Sequence, residues 1–156
     1  MRLLCLVGPH LASVLRSTRV LLDRAHHDQL SNSINLAGSL QLTKFLLAHQ
    51  AWLPAERIVA VYVDRWTRLI GVKTLAEGNV AGTAFEPAAV IRLGVECGAA
   101  GVILVHNHLS GNAHPSDSDK RLTASFARLA QDLGMPLLQH VIVARGAVEF
   151  LDWPYR

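Results

Sequence analysis

Cysteine is scarce in this sequence, as are charged residues, aromatic residues and long apolar runs. The 156 residues include two cysteines, Cys5 and Cys97, which are too few for a disulfide framework or for a zinc site made of four cysteines. No apolar run approaches the roughly 18 to 20 residues that cross a bilayer. The low cysteine count favours a reducing compartment, and we expect a cytoplasmic protein without a membrane span.

The composition is that of a folded globular domain. Only 17% of the residues are charged and 51% are apolar, which argues against intrinsic disorder. A chain of this length buries roughly 70% of its unfolded surface, so one core forms without disulfides or a structural metal. The N-terminus has a basic residue and a short apolar stretch, as secretion signals do. Pro9, His10 and Arg16 interrupt that stretch and no small-residue cleavage site follows, so we expect no secretion signal.

The net charge of +3 and the isoelectric point near 9.2 raise the question of nucleic-acid binding. The basic residues are scattered, however, and form only local pairs: Arg16 with Arg19, Arg65 with Arg68, and Lys120 with Arg121. No platform that interleaves aromatic and basic residues, as single-strand binders use, is evident. The charge is compatible with a weak association with nucleic acid but does not argue for one.

The chain divides into a helical N-terminal part and a mixed remainder. Residues 1–35 predict a helical extension, and helical apolar spacing continues from about residue 37 to His49. The stretches RIVAVYVD and RLIGVKTL predict a hairpin, whose continuous apolar content indicates strands covered on both faces at the centre of a sheet. We expect a helix to begin at Pro87, with the buried strand GVILVH after it.

The segment after residue 115 has the clearest helical pattern of the chain. Ser116 suits the N-cap, and Gly134 suits the end of the helix. One apolar face is expected to contain Leu122, Phe126, Leu129 and Leu133. The stretches LLQHVIVA and AVEFL then predict a closing hairpin. The predicted fold class for residues 36–156 is α/β (α+β), with a mixed central sheet sandwiched by helices.

The chemistry-bearing residues follow the buried strand, which ends in His106-Asn107-His108. Because strand side chains alternate, the two histidines project from the same face. Asp119 lies eleven residues after His108, in the first turn of the next helix, and can fold back toward them. Two imidazoles and a carboxylate, with a fourth position for water, form a catalytic zinc composition. Two alternatives remain, since the histidines can be surface residues and Asp119 can complete a capping box with Ser116.

The pattern His106-x-His108, seven residues, Ser116, two residues, Asp119 resembles the JAMM (MPN) metalloprotease motif at all four positions. The local sequence pattern HNHxSGxxxPSxxD resembles more narrowly the RadC-like branch of that superfamily. The segments ERIVAVYVDRWTRLIG, AAGVILVHNH and LLQHVIV resemble the same branch. The resemblance covers roughly residues 36 to 156. It implies a cytidine-deaminase-like JAMM/MPN architecture.

The resemblance also implies an activity, that of a zinc-dependent metallopeptidase or isopeptidase acting on a peptide or an isopeptide-linked protein. It implies that Zn²⁺ is held by His106, His108 and Asp119. Glu56 stands where the family has its general acid/base, and Ser116 stands where the family stabilises the oxyanion. From the residues alone, three other glutamates are equally eligible for the role of Glu56: Glu77, Glu86 and Glu96.

Two further histidines are weaker candidates for a role in the site. His114 is an additional loop imidazole that can lie near the metal by accident. His140, in a buried-looking strand, is more typical of a core residue or of one that supports the ligands from behind. We therefore assign neither of them as a ligand.

Four positions depart from the RadC-like pattern, and none of them is a predicted ligand. Where the branch has Pro, Arg, Glu and Asp, this chain has Leu109, Ala88, Ala89 and Gln139. These changes alter the substrate-facing loop and the surroundings of the site. The alternative function is therefore a non-catalytic module, associated with DNA repair or nucleic acid. The sequence gives no indication of the oligomeric state.

Overall fold

The computed structural model describes residues 40–78 and 85–153, which form one five-stranded sheet and three helices. In chain order the elements are α1 (Leu40–His49), β1 (Glu56–Val63), β2 (Leu69–Gly78), α2 (Pro87–Glu96), β3 (Gly101–Asn107), α3 (Asp117–Asp132), β4 (Leu137–Ala144) and β5 (Ala147–Leu151). The predicted extension, residues 1–35, lies outside the described residues. Within the described part of the chain, no helix is long and apolar enough to span a bilayer.

The strands lie in the order β2-β1-β3-β4-β5. β1 is antiparallel to β2 and β3, β3 is parallel to β4, and β4 is antiparallel to β5. The mixed sheet confirms the predicted fold class, and both predicted hairpins are present. Because a parallel pair needs a crossover connection, α3 begins near the edge where β3 ends and returns the chain to the start of β4.

Helices cover both faces of the sheet. On one face, α1 packs against strand residues in a cluster that includes Leu42, Leu46, Val59, Val105 and Val141. On the other face, α2 and α3 pack against strand residues in a cluster that includes Ile58, Leu104, Val90, Ile91 and Phe126. The sandwich predicted from the sequence is therefore confirmed, and the second face is the one that carries the candidate site.

The predicted place of the first hairpin in the sheet is right for β1 and wrong for β2. β1 lies between two strands, and its last six residues are all buried. β2 is an edge strand, in which Ile70 and Val72 are 37% and 47% exposed. An apolar, β-branched run indicates strand propensity, but such residues are also favoured on half-exposed strands, so the run does not report the position of β2.

The predicted apolar face of α3 is wrong in its second half. Phe126 is buried, but Leu129 and Leu133 are 37% and 53% exposed. The buried side of the helix instead consists mostly of small and polar side chains: Asp119, Thr123, Phe126, Ala127 and Ala130. The alanines let α3 approach the sheet closely, and the helix is turned so that its first-turn carboxylate faces inward. The spacing of apolar residues does not indicate that Asp119 must face inward.

Candidate metal centre

The two motif histidines lie at the end of a fully buried strand. All seven residues of β3 are buried, and His106 pairs with Ile58 on the face that α2 and α3 cover. His108 follows the strand, and its N–H donates to the Val143 carbonyl of β4 at 2.8 Å. The two imidazole rings stand edge to face, with centroids 4.8 Å apart. The end of β3 therefore brings both rings to one place.

Asp119 is fixed by the helix that carries it. Ser116 is the N-cap of α3, and its Oγ accepts the Asp119 N–H at 3.2 Å. In return, the Ser116 N–H donates to Asp119 Oδ2 at 2.8 Å, and the Ser116 hydroxyl donates to the same oxygen. This is a capping box, with Asp in the place usually taken by Glu or Gln. The arrangement offered by the sequence as an alternative to a metal ligand is therefore present, and it holds the carboxylate against the histidines.

Three side chains that can ligate a metal meet at this point. Asp119 Oδ1 is 3.0 Å from His106 Nδ1, and Asp119 Oδ2 is 3.3 Å from His108 Nε2. One ligand atom from each residue lies within 4.8 Å of the other two. Tetrahedral ligands at zinc–ligand distances of about 2.0–2.2 Å are roughly 3.3–3.6 Å apart. The group could therefore hold a metal ion.

The hydrogen bonding of His108 requires a positive charge between this ring and Asp119. Its Nδ1 is 3.0 Å from the Asn112 carbonyl oxygen, and because a carbonyl only accepts, Nδ1 carries a proton. In the neutral ring Nε2 is then a bare lone pair, 3.3 Å from a carboxylate oxygen. Two acceptors repel each other unless a proton or a metal cation binds between them. The hydrogen bond with Asp119 raises the pKa of His108 against the opposing effect of burial, so a protonated ring also satisfies this contact.

The other two members of the group also suit a cation. Among the described residues the buried Nε2 of His106 has no hydrogen-bond partner, so none of them competes for that nitrogen. Burial by itself raises the pKa of the Asp119 carboxyl, but hydrogen bonds from His106, His108 and Ser116 outweigh burial and hold the pKa well below its ordinary range. Asp119 is therefore ionised, as a metal ligand must be.

Glu56, the first residue of β1, lies at the same edge of the sheet as His108. Ile58 pairs with His106 in the antiparallel ladder, so Glu56 and His108 lie two residues further toward that edge on neighbouring strands. The charge of Glu56 contributes to the raised pKa of His108. The other three glutamates have different surroundings: Glu77 pairs with Arg57 at 3.0 Å, Glu96 pairs with Arg92 at 2.8 Å, and Glu86 precedes α2. The surroundings of Glu56 thus differ from those of the other three glutamates. The sequence alone did not reveal this difference.

Asn107, between the two histidines, holds the segment that carries Glu56. Its side-chain Oδ1 accepts the Arg57 N–H at 2.7 Å, and its Nδ2 donates to the Ala55 carbonyl at 3.1 Å. One buried side chain thus binds the peptide groups on both sides of Glu56. Sequence reasoning missed this residue, because its partners lie about 50 positions away along the chain and no local pattern marks them.

His140 supports the first turn of α3 and is not part of the three-residue group. Thr123 Oγ1 donates to the Asp119 carbonyl at 2.5 Å and lies 2.6 Å from His140 Nδ1, which therefore donates to the threonine oxygen. Burial lowers the pKa of His140 to about 3, so the ring is neutral. Thr123 is a second residue that sequence reasoning missed.

The remaining candidate residues are not members of the three-residue group. His114 is exposed, and its Nδ1 is 3.2 Å from Glu149 Oε1. Leu109, directly after His108, is 47% exposed, whereas Gln139 is buried in β4. The first turn of α2 contains the other two departures from the motif pattern: Ala88 and Ala89.

Comparison with known proteins places this fold and site in a family. The family model described as "RadC-like JAB domain" matches residues 36–152. This chain belongs to the RadC-like JAB domain family. Similar proteins include a UPF0758 protein of Streptococcus thermophilus, 33% identical over 131 residues, and one of Streptococcus uberis, 30% identical over 139 residues. A UPF0758 protein of Flavobacterium johnsoniae is 35% identical over 91 residues.

These matches cover most of the present chain and a smaller part of each relative. They span 84%, 89% and 58% of this chain, and 58%, 62% and 40% of the three relatives in the same order. The RadC-like JAB chain therefore spans less than two thirds of the length of these relatives. The family match confirms the resemblance read from the sequence.

Replacing Asn107 by alanine removes both bonds to the start of β1 and leaves the Arg57 N–H without its partner. We expect the free energy of unfolding to fall by about 1–3 kcal/mol, and hydrogen exchange at the Arg57 amide to accelerate. Chemical denaturation and amide exchange followed by NMR measure these effects. Asn112→Ala is the matched control, because among the described residues its exposed side chain bonds only the nearby His114 N–H. Equal effects in the two variants would contradict the role of Asn107.

Proposed function

We propose that this domain is a zinc-dependent hydrolase of amide bonds, which acts on peptides or isopeptide-linked proteins in the cytoplasm. One observation carries the proposal. His106, His108 and Asp119 each offer a ligand atom within 4.8 Å of the other two, and these atoms come from two imidazoles and one carboxylate. Membership of the RadC-like JAB family supports the proposal, because the JAMM motif implies metal-dependent amide hydrolysis.

The set of ligand atoms favours zinc over other divalent metals. Two imidazole nitrogens and one carboxylate oxygen suit Zn²⁺, whereas Mg²⁺ takes oxygen ligands and keeps much of its water. Three protein ligands leave one tetrahedral position for water or substrate, as in catalytic zinc sites. When bound, zinc lowers the pKa of a coordinated water toward ~7 and polarises the amide carbonyl.

Glu56 is the residue we assign to proton transfer. Amide hydrolysis requires a group that removes a proton from the attacking water and delivers one to the leaving amine. Such a group must stay within hydrogen-bonding reach of the reacting atoms. Glu56 lies beside His108, and the two bonds from Asn107 fix its backbone on both sides. A fixed backbone narrows the positions that the carboxylate can take.

Ser116 has two roles in this proposal. Before substrate binds, its hydroxyl and N–H orient the Asp119 carboxylate. Ser116 also lies at the N-terminus of α3, where the helix dipole stabilises negative charge. When substrate binds, its hydroxyl stabilises the carbonyl oxygen as that oxygen gains negative charge.

Removal of either histidine should abolish tight zinc binding. We expect the full chain to bind about one zinc, as a three-ligand site does. His106→Ala and His108→Ala should each weaken zinc binding more than the roughly 10–100-fold typical of residues that only orient ligands. His114→Ala is the matched control, since this imidazole of the same loop pairs with Glu149. Calorimetric titration with Zn²⁺ and elemental analysis measure both quantities. Failure of the wild type to take up zinc would refute the proposal.

Replacing Glu56 by glutamine should separate zinc binding from catalysis. Because Glu56 is no ligand, the variant should bind zinc as the wild type does and lose about 10²–10⁴-fold in hydrolysis. Cleavage is measured with a library of peptides from a digested proteome and detection of new termini by mass spectrometry. Glu77→Gln is the control, as its carboxylate pairs with Arg57.

Two outcomes would contradict the proposed role of Glu56 or the proposed hydrolysis. Full activity of Glu56→Gln would exclude Glu56 as the proton-transfer group. A wild type that binds zinc but cleaves nothing would favour the non-catalytic alternative, in which Leu109, Ala88, Ala89 and Gln139 mark lost turnover.

A further inference from the structure

The hairpin that joins β1 and β2 ends in a turn, residues 64–68, at the opposite end of the sheet from the metal centre. β1 runs from Glu56, beside His108, to Val63. At about 3.3 Å per residue, its eight residues span roughly 25 Å. The turn is therefore too distant to touch a scissile bond at the metal centre, and a role for it is independent of hydrolysis.

The turn is held by internal hydrogen bonds and presents Trp66 to solvent. Asp64 Oδ1 accepts the N–H of Trp66 at 2.8 Å and the N–H of Arg68 at 2.9 Å. Thr67 has a φ of 59°, in the left-handed region that β-branched residues rarely adopt. Trp66 is nevertheless 51% exposed. A strained turn that keeps a large aromatic ring in water points to a binding role.

Two arginines flank the exposed ring. The guanidinium carbons of Arg65 and Arg68 lie 3.9 Å and 5.4 Å from the Trp66 ring centroid. Within residues 40–78 and 85–153, neither arginine forms an ion pair. The Asp64 carboxylate beside them is engaged by the two backbone N–H groups. The turn therefore combines an exposed π face with two guanidinium groups that form no described ion pair, although the Asp64 carboxylate lies in the same turn.

We propose that this turn binds single-stranded nucleic acid, with a base stacked on Trp66 and neighbouring phosphates bound by Arg65 and Arg68. Every nucleotide of a single strand presents a π face and a negative charge, which match the ring and the guanidinium groups. Because cation–π contacts at exposed sites are weak, a guanidinium can leave the ring for a phosphate when a base replaces it. The net charge of +3 is compatible with a polyanionic partner.

From the sequence we expect no platform of interleaved aromatic and basic residues, and the proposal differs from that expectation. Arg65-Trp66-x-Arg68 is a small platform of this kind. The structure adds that both guanidinium groups lie near one ring, in a turn that contains the left-handed Thr67. With one ring and two charges, binding is weak, independent of base sequence and sensitive to salt.

The test is a titration of a short fluorescent oligothymidylate with the full chain at low salt, followed by anisotropy. Trp66→Ala should raise the dissociation constant about tenfold, the effect of losing one stacked base. Trp66→Phe, which keeps a ring, should recover part of the affinity. The double variant Arg65→Ala with Arg68→Ala should lower the slope of log Kd against log salt by about 1.4, because each phosphate contact on a single strand contributes about 0.7.

A second exposed tryptophan provides the matched control. Trp52 is 68% exposed, and the guanidinium carbon of Arg145 lies 5.5 Å from its ring centroid. This pair lies at the other end of the sheet, since Trp52 precedes β1 and Arg145 follows β4. Trp52→Ala and Arg145→Ala should leave the affinity unchanged, and circular dichroism checks that each variant folds.

The proposal is overturned by any of three results. The first is absence of oligonucleotide binding at low salt, and the second is an equal loss of affinity in the control variants. The third is equally tight binding of heparin or of anionic lipid vesicles, which would identify a general anion surface without base stacking. None of these measurements requires zinc or hydrolysis, so the proposal stands or fails separately from the proposed function.

Discussion

The Asp119 carboxylate is the group on which the candidate site depends. It closes the capping box of α3 with Ser116 and at the same time faces both His106 and His108. A side-chain N-cap typically stabilises a helix by about 1 kcal/mol, and the contacts that begin α3 also fix the position of a candidate metal ligand. Because β3 and β4 are parallel, the crossover must start α3 near the end of β3, where the histidines lie. The topology of the sheet thus also places Asp119 near the two histidines.

The elements of the fold are largely predictable from local signals. Pro87 begins α2, Ser116 caps α3, and Gly134 follows α3 with a φ of 74° that favours glycine. The failures concern long-range placement. The composition of β2 does not reveal that it is an edge strand. The exposure of Leu129 and Leu133 follows from turning α3 so that Asp119 and Thr123 face the sheet, which is a demand of the site.

The site is predictable where its residues are close in sequence and less so where they are distant. The two-residue spacing of the histidines on a strand and the first-turn place of Asp119 already indicate a shared site. The roles of Asn107 and Asn112 depend on contacts made after folding. One holds the backbone around Glu56 and the other, through its carbonyl, fixes the proton of His108 on Nδ1. No sequence pattern predicts either contact.

The central claim is that His106, His108 and Asp119 bind one zinc ion directly. X-ray absorption at the zinc edge of the loaded full chain tests it most directly, because it reports the identity of the bound atoms. We expect only nitrogen and oxygen ligands at about 2.0–2.2 Å, with the multiple scattering of two imidazoles. A sulfur ligand at about 2.3 Å, or a shell without imidazole, would contradict the account.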